Sequence, residues 1–102
     1  MIITTTPTIE GKRIVEYKGL VFGEAVAGSH SGSFLQDAVA GITGKDSGIM
    51  RKLDETRSVA VAQMKERAGA LGANAIIGIT LDYEQLVGFL LLSTSGTAVV
   101  VE

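Results

Sequence analysis

A chain of 102 residues, 46% of them apolar, is expected to fold as a single domain over residues 1–102, with room for one modest core. Its net charge of −2 and pI near 5.3 argue against a nucleic-acid partner, since the nine Lys and Arg residues are scattered and no aromatic platform accompanies them. The absence of cysteine excludes disulfides, thiol catalysis and thiolate metal sites.

The N-terminus, Met-Ile-Ile-Thr-Thr-Thr-Pro, lacks the basic region and long apolar stretch of a signal peptide. The longest apolar run, Leu86 to Leu92 with Gly88 inside it, is far short of the ~20 residues that span a bilayer. A cytoplasmic protein with no membrane partner is expected. Ile2 to Thr6 reads as a short strand stopped by Pro7, and Glu10-Gly11-Lys12 as a turn. Arg13 to Ala27 is extended, with Gly19 and Gly23 suggesting bulges or sharp coiling. Gly28 to Ser33 is a polar loop. Phe34, Leu35, Ala38, Val39 and Ile42 mark one side of a short amphipathic helix that Ser33 is placed to cap.

The main helix is predicted at about Gly48 to Leu71, capped by Asp46 or Ser47. At 100° per residue, Ile49, Met50, Leu53, Ala60, Met64, Ala68 and Leu71 share a face, while Arg51, Asp54, Ser58, Lys65 and Glu66 lie largely opposite. Gly72 stands where a left-handed residue ends a helix, because only glycine takes that conformation without a Cβ clash. The hydrophobic period then changes from helical to extended, and Ala75 to Tyr83 reads as a strand rich in isoleucine. Gln85 to Gly88 is a turn or loosened hairpin. Phe89 to Glu102 is extended, with a break expected at Gly96. The near-continuous apolar runs at Ile76–Leu81 and Phe89–Leu92 predict that the second face of the sheet meets another subunit, since sheets with one wet face normally alternate.

Few residues invite chemistry. Gly41-Ile42-Thr43-Gly44-Lys45-Asp46 resembles a phosphate loop only in part: Val39 stands where the first glycine is needed and Asp46 where a Ser or Thr should bind magnesium. His30 is the one histidine, and a dyad with Ser29 or Ser31 lacks a third group to orient it. No catalytic residue is assigned. Asp82 and Glu84 are two apart in a strand, so they share a face with Tyr83 opposite, their Cβ atoms ~6.5–7 Å apart. They suit two ligands of a hard cation such as Ca²⁺ or Mg²⁺, or an ion pair with a basic residue; the ordinary reading is a solvated or paired couple. Arg57 projects from the middle of the helix's apolar face. A guanidinium cannot escape burial by neutralising, so it either pairs with Asp82 or Glu84, within a subunit or across an interface, or packs its stem on Leu53 and Ala60 and sends its head to solvent.

Four blocks in order, EYKGLVFGEAVAG (Glu16–Gly28), DAVAGI (Asp37–Ile42), LGANAIIGITLDYE (Leu71–Glu84) and SGTAV (Ser95–Val99), resemble the YbjQ-like family of small bacterial proteins. The resemblance implies a two-layer α+β fold like the dodecin subunit, an antiparallel sheet with one long helix on a face. It also implies a ring-shaped homo-oligomer, a homopentamer, in which sheets of neighbouring subunits form a central barrel. The family carries a provisional heavy-metal-binding label. Thr43 to Ser47 looks shortened against the family, and Ile49-Met50-Arg51 stands where the family tends to have a Tyr-Glu pair. Without cysteine and with one histidine, a soft metal finds little to bind here. The leading expectation is an oligomeric binding or scaffolding module with no catalytic activity and no cofactor. The alternative is a metal- or small-ligand-binding ring that uses carboxylates near Asp82 and Glu84 at subunit interfaces.

Overall fold

The structure, a computed structural model, describes residues 1–28 and 47–102. Its elements are β1 (Ile2–Ile3), β2 (Ile14–Gly28), α1 (Ser47–Ala70), β3 (Ala75–Leu86) and β4 (Phe89–Val101). The strands form one sheet in the order β1-β3-β4-β2, with α1 lying over β2 and β4 more than over β3. The chain is therefore α+β, as expected, but its sheet is mixed. β1 pairs with β3 in parallel, Ile2 beside Ala75 and Ile3 beside Ile76, whereas the other pairs are antiparallel. The long excursion through β2 and α1 supplies the crossover that a parallel neighbour requires. The expected loop at His30, the short helix from Phe34 to Ile42 and the Gly41–Asp46 segment lie outside the described residues.

The end of α1 follows from its glycine. Gly72 has φ +86°, the Ala73 amide donates to the Ala68 carbonyl at 3.1 Å, and the Gly72 amide donates to that of Gly69 at 2.9 Å. Those two bonds are a Schellman motif, which satisfies carbonyls the helix leaves open. Leu71, expected in the core, is instead 44% exposed, because the turn carries it past the last helical residue and off the sheet. Met50 is likewise exposed. Ala60, Met64 and Ala68 are fully buried as expected, and half-buried Leu53 packs on Ala27 and Leu90. The side chain of Ile49 lies outside the described residues. Thr56 is buried where a polar residue was not anticipated; its hydroxyl donates to the Lys52 carbonyl one turn back at 2.7 Å.

The core has two sides. Val21, Met64, Ala68, Ile76, Ile79 and Ala98 pack between sheet and helix. On the other face Ala75, Ile77, Val99 and Val101 are covered by Ile9 and Ile14. Part of the apolar second face is thus buried within the chain, by Ile9 of the N-terminal arm and by Ile14 at the start of β2. Ile76, Leu92, Val99 and Met64 are the largest fully buried side chains, and burying each contributes roughly 1.5–3 kcal/mol.

Two irregularities set which residues face where. β3 carries a bulge between Ile77 and Thr80, at Gly78. Ile77 and Ile79 would share a face in a regular strand; here Ile77 lies on the helix-free face and Ile79 on the helix face. β4 runs unbroken through Gly96, whose missing side chain leaves room for Ile76 and Ile79 opposite the bulge.

Candidate functional site

The bulge decides the surroundings of Arg57. Counting by twos from Ile76 along a regular strand would turn Asp82 and Glu84 toward the helix. The extra residue at the bulge reverses the parity, so that Tyr83 faces α1 and the two carboxylates point to the other side. Arg57 donates to the Tyr83 hydroxyl at 3.3 Å and forms an ion pair with Asp54, one helical turn earlier. Within the chain it reaches neither Asp82 nor Glu84, and the expected intrachain pair is replaced by these two contacts. The bond to Tyr83 is the largest influence raising the guanidinium pKa above its ordinary value. An arginine is charged throughout the usable pH range, so this creates no titrating switch. Because α1 lies over β2 and β4, a cleft of about 510 Å³ remains along its flank, lined by Asp54, Arg57, Ser58, Val61, Ala62 and Lys65.

On the helix-free face the register aligns Asp82 with Ser93 and Ser93 with Glu24. Two carboxylates thus flank one hydroxyl in a lateral row, with their strands about 10 Å apart. Glu84 lies in the next such row, with Leu91 and Val26. That spacing is too wide for Asp82 and Glu24 to share one ion directly. Among the described residues no group of three or more His, Asp or Glu side chains is arranged to hold a metal. Thr80 and Ser95 meet hydroxyl to hydroxyl at 3.1 Å on the same face.

Three polar residues do work that the sequence pattern did not reveal. Asn74 pairs with Val101 as a strand residue would: its Nδ2 donates to the Val101 carbonyl at 2.9 Å and its Oδ1 accepts from the Val101 amide at 2.8 Å. Gln63 Oε1 accepts from the Glu24 amide at 2.8 Å, and Arg67 Nη1 donates to the Phe22 carbonyl at 2.8 Å. The spacing of four between Gln63 and Arg67 puts them on one flank of the helix, a signal readable in principle.

Fold and surface together define a small α+β chain with a mixed four-stranded sheet, one long helix among the described residues, and surface carboxylates that are spread apart. The chain belongs to the YbjQ family, whose description, "Putative heavy-metal-binding", matches residues 1–102. It is 50% identical over 109 aligned positions to a UPF0145 protein of Listeria grayi and to one of Acetivibrio thermocellus, with all of each chain covered. A UPF0145 protein of Listeria monocytogenes is 45% identical, covering all of this chain and 96% of the relative. The fold is similar to a crystal structure of a protein of unknown function from the DUF74 family of Pediococcus pentosaceus. That match has a TM-score of 0.68 at 20% identity and covers 100% of this chain and 98% of the other. None of these descriptions names a catalytic activity. No helix among the described residues is long and apolar enough to cross a membrane.

Proposed function

We propose that this chain is a cytoplasmic homo-oligomeric binding or scaffolding module and not an enzyme, working as a dodecin-like ring of five copies whose sheets meet around its centre. The observation that carries the reading is the exposed apolar band on the helix-free face of β2, interrupted by Glu24: Leu20 is 69% exposed, Phe22 50% and Val26 56%. The N-terminal arm covers the neighbouring part of that face and leaves this band open. Leu86 and Val87 continue the exposed apolar surface at the tip of the β3–β4 hairpin. The chain extends 50 × 24 × 16 Å with a radius of gyration of 16.2 Å, against about 13 Å for a compact domain of this length. Such a surface on so small a chain is the mark of an interface. The number five rests on the family resemblance alone.

Light scattering at micromolar concentration tests this. The expected mass is five times the 10.6 kDa chain, and Leu20→Glu with Phe22→Glu should dissociate the assembly while leaving the helical signal intact. A wild-type mass of one chain would overturn the reading.

The second reading is a ring that binds a divalent cation or small ligand through Asp82 and Glu84 repeated at subunit interfaces, with Arg57 of one copy able to pair with either acid of the next. It is supported by the family's metal-binding description and by the carboxylates of Asp82 and Glu84, which share the helix-free face and offer oxygen ligands alone. Such a set suits Ca²⁺ or Mg²⁺ and not a thiophilic ion. Calorimetric titration with Ca²⁺, Mg²⁺ and Zn²⁺ decides it. Saturable binding of a hard ion, lost in Asp82→Asn with Glu84→Gln, supports this reading; no heat from any ion removes it. A tight stoichiometric zinc site that survives His30→Ala would contradict the donor chemistry argued above.

A further inference from the structure

β2 is an edge strand of 15 residues, and β4 is its one strand neighbour among the described residues. A long edge with apolar side chains is a template for pairing with another chain, because alternate residues aim their amide and carbonyl groups outward. At its middle this edge is occupied. The outward carbonyl of Phe22 accepts from Arg67 and the outward amide of Glu24 donates to Gln63, each at 2.8 Å. Both side chains come from one flank of α1, and between the two strand residues stands Gly23. A Cβ there would lie 1.9 Å from the Ala60 carbonyl oxygen, so the helix backbone rests directly on the strand at this point. That close approach lets the side chains of the next turn reach the edge.

We propose that Gln63 and Arg67 form a cap that closes the outer edge of β2 to strand addition by a second copy of this chain. The pair takes two outward hydrogen-bonding groups at the middle of the edge, which an incoming strand would need for continuous pairing. It divides the edge into two shorter lengths, neither of which holds the exposed Phe22. Assembly is thereby confined to the ordered contacts of the ring and kept from running on edge to edge. A head-to-tail contact that fails to close extends into filaments, which is the outcome such a cap prevents. The inference rests on the assembly reading for the identity of its partner. The two fail separately: the wild-type mass tests the ring, whereas the difference between wild type and cap variants tests the cap.

The experiment compares wild type, Gln63→Ala, Arg67→Ala, the double alanine variant and the conservative pair Gln63→Glu with Arg67→Lys. Analytical ultracentrifugation across a concentration series is read beside far-UV circular dichroism. The alanine variants should keep the helical spectrum and gain concentration-dependent species heavier than wild type, with the double variant strongest and binding thioflavin T. The conservative pair retains an acceptor and a donor and should match wild type. Amide exchange at Glu24 should quicken at least ~10-fold in Gln63→Ala. If the double variant loses its spectrum, the single variants carry the test. Folded alanine variants with the wild-type mass distribution and unchanged Glu24 exchange overturn the proposal.

Discussion

Replacing Gly23 with alanine should destabilise this protein, whereas the same methyl group added at a helical glycine with room around it should not. The new Cβ would sit 1.9 Å from the Ala60 oxygen, 2.8 Å from the Ala60 carbonyl carbon and 3.1 Å from Thr94 Cγ2. Ordinary contact begins near 3.4 Å, so the helix must withdraw by roughly 1.5 Å, and gaps of that order forfeit half or more of the dispersion energy at each contact. Ala60, Met64 and Ala68, all fully buried, lie along the face that would lift. Overpacking of this kind costs about 1–3 kcal/mol. Loss of the bonds from Gln63 and Arg67 adds roughly 0.5–1.5 kcal/mol each, and the lower entropy of an unfolded alanine returns about 0.4–1 kcal/mol. The net expectation is about 2–4 kcal/mol. In a thermal melt at one fixed protein concentration that corresponds to a fall on the order of 10–25 °C. Gly69→Ala is the matched control: the same methyl in α1 meets nothing within 4 Å. It should stabilise the helix by about 0.5–1 kcal/mol. A Gly23→Ala melt within about 2 °C of wild type, or shifts of the same sign at both positions, refutes the close-approach argument.

Asn74→Ala removes both bonds to Val101 and leaves a partly buried amide and carbonyl unpaired, so urea denaturation should report a loss of about 2–4 kcal/mol. Asn74→Asp keeps the acceptor and loses the donor, and it should fall between wild type and alanine. Arg57→Met and Tyr83→Phe act on an exposed cluster, so each should melt within about 2 °C of wild type with unchanged oligomer mass. A large fall in both quantities for Arg57→Met would instead mark the pairing with Asp82 or Glu84 of a neighbouring copy.

The sequence by itself determined the elements whose signals are local. The helix, its end at Gly72, the strand that leaves Asn74 and the extended stretches of β2 and β4 all lie within a residue or a few of where periodicity and glycine put them. These follow from backbone sterics and hydrophobic period, which neighbouring residues settle among themselves. The separation of Asp82 and Glu84 from Tyr83 onto opposite faces was legible for the same reason. What only the tertiary structure decided is nonlocal. The parallel pairing of β1 with β3 joins segments more than seventy residues apart and leaves no mark on either. Leu71 lay on the apolar arc and is exposed because the turn at Gly72 carries it off the sheet, whereas Thr56 is buried because it stands one turn before Ala60 on the row that also holds Met64 and Ala68. The partner of Arg57 turned on a single inserted residue: the bulge at Gly78 reverses every face beyond it, and it exists because β1 and the arm that follows hold the outer edge of β3 there through the Gly78 and Ile79 amides. Side-chain parity along a strand is a running count, and the place where the count slips is set by what the strand is paired with.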